Sequence, residues 1–173
     1  MYHNIGAVYL AKFDYDKTLD YYLKELDIQQ KVFGKESRIT IRSYEIIGLI
    51  YISKGDVQLG LTYLSKTAFS NLTNYEKAKL MNYHGGLKYD LNKKEALNFY
   101  QIALELLEKS DTPETDPAWI SIYQNLASAY CHNGKKSKAL ALYKRCIDLR
   151  KRVANADISL EQIETNYKKC KEN

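Results

Sequence analysis

The dipeptide Ile5-Gly6 recurs as Ile47-Gly48, 42 residues later, and each copy is followed three residues on by a tyrosine, Tyr9 and Tyr51. Self-similarity at roughly this spacing is the mark of stacked helical hairpins, where one unit cannot bury its apolar face without a neighbour. A chain of 173 residues has room for four such hairpins and a trailing helix.

Helix punctuation gives the same count. Asp14 is placed to cap a helix running to Val32-Phe33, with Gly34 as its stop. Inside it Leu19, Tyr22, Leu23, Leu26 and Ile28 fall at helical spacing. Residues 38–54 form the next helix, closed by Gly55, and Asp56 opens another. Thr73-Asn74-Tyr75-Glu76 has the form of a capping box for a helix ending near Asp90, and residues 93–109 follow. Asp116-Pro117 sets a cap before a first-turn proline, starting a helix that ends at Asn133-Gly134. The last two helices are predicted from about Ser137 to Val153 and from Asp157 to about Lys171, the latter opened by Ser159-Leu160-Glu161-Gln162. With a first helix from residue 2, this makes nine helices and no strand. The expected fold is all-α.

The second helix of each hairpin holds a slot for close approach, filled by Thr18, Gly60, Ala96 and Ala139. One turn further on stands a large apolar residue: Tyr22, Leu64, Tyr100 and Tyr143. Where two helices cross closely, one residue must be small and its bulky neighbour fills the adjacent gap.

These residues resemble tetratricopeptide repeats. The matching sets are Ile5-Gly6…Tyr9…Thr18…Tyr22, Ile47-Gly48…Tyr51…Gly60…Leu64, Tyr83-His84…Leu87…Ala96…Tyr100, and Leu126-Ala127…Tyr130…Ala139…Tyr143. The runs from Leu26 to Gly34 and from Ile147 to Val153 look most like the kinesin-light-chain subtype. The resemblance implies a right-handed α-solenoid of about four hairpins forming one array, with repeats at 2–34, 38–70, 73–109 and 116–153 and a solvating cap helix at 157–171. The third repeat fits least well: His84 sits where a small residue is usual, and Gly85-Gly86 lies inside a helix. The first helix has no preceding cap, so Ile5, Val8 and Tyr9 have cover on one side only. The expectation is a segment of a longer chain, or pairing through this end. The oligomeric state stays open between a monomer and a weak dimer through the N-terminal end.

In such arrays the first helices of successive hairpins line a concave wall. Here the helix from Pro117 carries an apolar stripe (Trp119, Ile122, Tyr123, Leu126, Tyr130) and a separate uncharged polar stripe containing Ser121, Gln124, Asn125, Ser128 and His132. Amides and hydroxyls suit a peptide backbone, because an amide both donates and accepts. The corresponding face is expected to hold His3, Asn4 and Ala7 in the first hairpin; Arg42, Glu45 and Leu49 in the second; and Met81, Asn82, Gly85 and Lys88 in the third. Asn4, Asn82 and Asn125 occupy matching places, with Ile46 breaking the series. The alternative is that these asparagines bond only to neighbouring helices.

The expected function is therefore a protein–protein interaction scaffold that binds a peptide or helix of a partner in the groove. The second reading is a sensory or regulatory segment of a larger signalling protein, such as a bacterial regulator or kinase. A catalytic or DNA-binding module in the parent open reading frame would separate the two. No HExxH, CxxC, GxGxxG or GxxxxGK[ST] occurs, so catalytic residues, metal and cofactor are all expected to be none. Residues 119–173 carry 11 Lys and Arg against 5 Asp and Glu, yet no base-stacking motif accompanies them, so nucleic acid is set aside. No run of apolar residues is long enough to span a membrane. Three cysteines, Cys131, Cys146 and Cys170, with no CxxC, point to free thiols and a cytoplasmic location.

Overall fold

Side-chain caps set most of the helix boundaries. The protein is described by a computed structural model over residues 2–153 and 159–172. Among the described residues there are nine α-helices and no strand: α1 (Tyr2–Ala11), α2 (Tyr15–Phe33), α3 (Arg38–Lys54), α4 (Val57–Leu64), α5 (Asn74–Tyr89), α6 (Lys93–Glu108), α7 (Pro117–His132), α8 (Lys136–Arg152) and α9 (Leu160–Glu172). Asp14 caps α2 and Ser37 caps α3, each accepting from a backbone N–H at 3.2 Å. Thr73 and Glu76 close a reciprocal capping box on α5. Asn92 caps α6 through the Lys94 and Glu95 N–H groups, and Asp116 caps α7 ahead of Pro117. On α9 the Ser159 hydroxyl accepts from the Gln162 N–H; the predicted start at Asp157 lies outside the described residues.

One helix stops short of its expected length. The second hairpin was expected to run to residue 70, but α4 ends at Leu64 and a 3-10 turn follows over Ala68–Asn71. Hydroxyls take over carbonyls that a longer helix would use: Ser65 bonds the Thr62 carbonyl, and Thr67 that of Leu64. Serine and threonine offer the backbone this local alternative, which weakens a helix interior.

Packing divides the chain into two units, Met1–Asn71 and Leu72–Asn173. The first unit contains α1–α4, with a core of Leu19, Tyr22, Leu26, Tyr44, Ile47, Ile50 and Tyr51. The second contains α5–α9, with Phe99, Tyr100, Leu107, Ile120, Ile122, Tyr123, Leu126, Tyr143 and Ile163 among its buried side chains. Within each unit, helices adjacent in the chain pack against one another. The four expected slots, Thr18, Gly60, Ala96 and Ala139, are all buried.

The third hairpin corrects the register read from sequence. Three hairpins close with the same bond: Asp14, Asp56 and Lys135 donate their N–H to the carbonyls of Tyr9, Tyr51 and Tyr130. Phe13, Gly55 and Gly134 sit in the left-handed region just before these donors. In the third hairpin Asn92 donates to Lys88 instead, one residue closer in sequence. Lys88 therefore stands where the tyrosines stand elsewhere, and the small crossing residue is Gly85, not His84. A Cβ on Gly85 would lie 2.5 Å from the Tyr100 ring, just as one on Gly6 would lie 3.1 Å from Tyr22. His84 is half-buried and rests against Phe99, with ring centroids 6.0 Å apart.

Adjacent glycines should thus respond oppositely to substitution. Gly85→Ala is expected to destabilise by about 1–3 kcal/mol through overpacking against buried Tyr100. Gly86→Ala, with nothing within 4 Å of its new methyl, should stabilise by about 0.5–1 kcal/mol through helix propensity. Phe13→Gly should also raise the melting temperature, because a half-exposed non-glycine at φ 57 carries a penalty of about 1–2 kcal/mol. Thermal melts of the three variants check these signs.

Candidate functional site

Within the second unit, side-chain hydrogen bonds join α5 and α7 across one polar face. Asn82 Nδ2 donates to Ser121 Oγ at 3.3 Å, and Asn125 Nδ2 donates to Asn82 Oδ1 at 3.0 Å. The Tyr89 hydroxyl and Ser128 Oγ share a bond at 3.0 Å, and His132 meets the Tyr89 ring edge-on at 5.8 Å. The asparagines thus do bond to a neighbouring helix. Each Nδ2 has a second hydrogen, and the Asn125 carbonyl oxygen accepts neither of these bonds. Gln124 Oε1, beside them, is sealed from solvent without any hydrogen-bond partner. Lys79 and Gly86 on α5 and its C-cap Asp90 are exposed, and Tyr83 stands 62% exposed among them.

The register shift explains which expected residues reach this face. Asn82, Gln124, Asn125, Ser128 and His132 do. Met81, Gly85 and Lys88 do not, which corrects their assignment to the groove. Met81 is fully buried, and Gly85 abuts Tyr100. Lys88 Nζ lies 3.6 Å from Glu95 Oε2, while Glu95 Oε1 accepts from Asn92 at 2.6 Å. Counted from Gly85, Asn82 is the counterpart of Gln124 and Tyr83 that of Asn125. Tyr83, Gly86 and Tyr89 were missed for this reason; the signal that would have found them is the pairing of Gly85 with Tyr100.

In the first unit the candidates are dispersed. His3 Nδ1 pairs with Glu25 Oε2 at 3.2 Å and its ring lies 5.4 Å from that of Tyr22. Gln29 Nε2 donates to Glu25 Oε1, and the Ser43 hydroxyl donates to Gln29 Oε1 at 2.6 Å. This chain of bonds links α1, α2 and α3 and fills both ends of the Gln29 amide. Asn4, Ala7, Arg42 and Glu45 are exposed, and Leu49 is half-buried.

The thiols differ from expectation. Cys131 on α7 and Cys170 on α9 form a disulfide, with Cα atoms 5.8 Å apart. An odd count without a CxxC does not reveal such a pair, because the fold brings together residues 39 apart. Cys146 is free and buried, and its environment pushes the thiol pKa up to about 12. Among the described residues no three His, Cys, Asp or Glu side chains cluster as metal ligands, and no helix is long and apolar enough to cross a membrane. An open depression of about 510 Å³ lies between Tyr75, Lys109 and Asp116. Its polar groups are already engaged: Tyr75 donates to Asp116, and Asn74 to the Lys109 carbonyl.

His132 ends the polar face. Burial, and secondarily the charge of Lys93, hold its imidazole below the ordinary value of 6.5. It is therefore neutral at pH 7, able both to donate and to accept. A base with a lowered folded pKa binds fewer protons folded than unfolded. Its stabilising contribution is thus present above the unfolded value and is lost as pH falls toward the folded one. Proton NMR should place the His132 midpoint below 6.5, and Lys93→Gln should raise it only partway, since burial is the larger cause.

Comparison with known proteins gives two matches to models of the tetratricopeptide repeat, over residues 1–67 and 119–157. Together they span more than half of the chain. Among curated proteins none matches. Solved structures similar to this chain include two of a Podosopora anserina protein described as a kinesin light chain with nearly identical TPR-like repeats, one of them carrying a point substitution. They are 13% and 14% identical, with a TM-score of 0.49, over 99% of this chain and 84% of theirs.

Proposed function

This chain belongs to the tetratricopeptide-repeat family, whose repeats generally mediate protein–protein interaction, and from that premise we propose that it binds an extended peptide of a protein partner along the α5–α7 face. The observation that carries the reading is the paired amides of Asn82 and Asn125, whose bonds leave a donor hydrogen on each and the Asn125 carbonyl for a ligand. A peptide main chain presents an N–H and a C=O at every residue. Amides fixed side by side match that alternation without demanding a charge from the ligand.

The flanking residues support the same chemistry. Tyr83 offers an exposed ring at the edge of the face, able to cover apolar peptide side chains at low entropic cost. Gly86 leaves open space where a peptide backbone can approach α5. The exposed charges around the face are of both signs, Lys79, Lys93 and Asp90. The lining thus favours a main chain over a uniformly charged tail.

A random peptide library displayed against the folded chain tests this. Peptides selected by the native protein should bind the Asn82→Ala, Asn125→Ala double variant at least roughly tenfold more weakly, since each lost desolvated amide contact costs about 1–3 kcal/mol. Circular dichroism should show an unchanged helical content. Equal affinity for the intact double variant would overturn the assignment.

A further inference from the structure

We propose that Cys131 and Cys170 form a reversible redox latch that fastens α9 to α7. The helix α9 lies along α8 but buries few of its own side chains. Of its thirteen residues only Ile163 and Cys170 are buried. A free helix of that length is marginal in water, so α9 depends on its attachment. The disulfide supplies a covalent part of that attachment near the C-terminal ends of α7 and α9, while Ile163 supplies an apolar contact near the N-terminal end of α9.

The two sulfurs are unequally placed for exchange. Cys170 is 2% exposed, whereas Cys131 is half-buried and sits next to exposed His132. A small thiolate therefore reaches Cys131 Sγ first. It forms a mixed disulfide there, the Cys131–Cys170 bond breaks, and Cys170 leaves as thiolate and takes up a proton. A second small thiol attacks the external sulfur of the mixed disulfide, releasing Cys131 as a thiol and the small disulfide as product. In sum, one protein disulfide and two small thiols give one protein dithiol and one small disulfide. Oxidised glutathione drives the reverse. Cys146 cannot divert the exchange: it is fully buried on α8, and its sulfur donates to the Ile120 carbonyl at 3.7 Å.

The test uses the full chain with reduced and oxidised glutathione. Peptide mapping should find the Cys131–Cys170 bond formed by oxidised glutathione and opened by the reduced form without denaturant. Hydrogen exchange over residues 160–172 should be faster in the reduced protein by at least roughly tenfold, while 120–130 stays protected. Cys170→Ser should show the fast exchange in both conditions and take up glutathione at Cys131 but not at Cys146. Cys146→Ser should switch as the native chain does. Cys131 and Cys170 persisting as free thiols in the folded chain under oxidised glutathione would overturn the latch. So would equal exchange of 160–172 in the two states.

Discussion

The close crossing inside each hairpin is the contact on which the rest depends. Gly6 receives the Tyr22 ring, Gly48 meets Gly60 and Leu64, and Gly85 receives Tyr100. Each crossing fixes how far apart two helices lie and how each is rotated about its axis. Rotation matters more than separation here, because it decides which side chains of a first helix turn inward. Tyr100 is buried against Gly85, and that burial pushes its phenol up to about 12.

From that rotation the polar face of the second unit follows. With Gly85 inward, Met81 and Lys88 are carried to the packed side, and Asn82, Gly86 and Tyr89 are carried toward α7. Asn82 then lies within reach of both Ser121 and Asn125. The first unit joins its helices with a comparable set of polar bonds. Gln29 spends its carbonyl on Ser43 and one amine hydrogen on Glu25, which in turn takes His3. Asn82 is engaged to the same extent; what sets the α5–α7 face apart is Asn125, whose carbonyl accepts neither of the bonds that join the two asparagines and Ser121.

Much of the fold was legible because its signals are local. Caps such as Asp14, Thr73 and Asp116, and stops such as Gly34 and Gly55, act within a few residues and are read directly. What failed depended on contacts between elements or on competing local bonds. The one-residue shortening of the third hairpin shows only in Asn92 bonding to Lys88, and it displaced the reading of α5 by a full position, about 100° of helix. The early end of α4 reflects hydroxyl-to-carbonyl bonds that tip a balance apolar periodicity does not register. The Cys131–Cys170 pair arises from α9 folding back beside α7, a tertiary event that no spacing rule encodes. On α7 the register was read as the structure has it, because there the small residue Ala127 and its partner Tyr143 keep the common spacing.

The intrachain bond between Asn82 and Asn125 bears on affinity in two opposing ways. It occupies one donor and one acceptor that a ligand would otherwise use. It also fixes both side chains before binding, which removes an ordering cost of about 0.5–1.5 kcal/mol for each immobilised side chain. What remains available is a donor on each amide and the Asn125 carbonyl, at positions set by the helices that carry them. A ligand that offers alternating donors and acceptors meets those groups without rearranging them. One that offers only carboxylates finds the donors but brings no hydrogen to the Asn125 carbonyl. The proposed preference for main chain over charge therefore rests on the Asn125 acceptor as much as on the donors of the face.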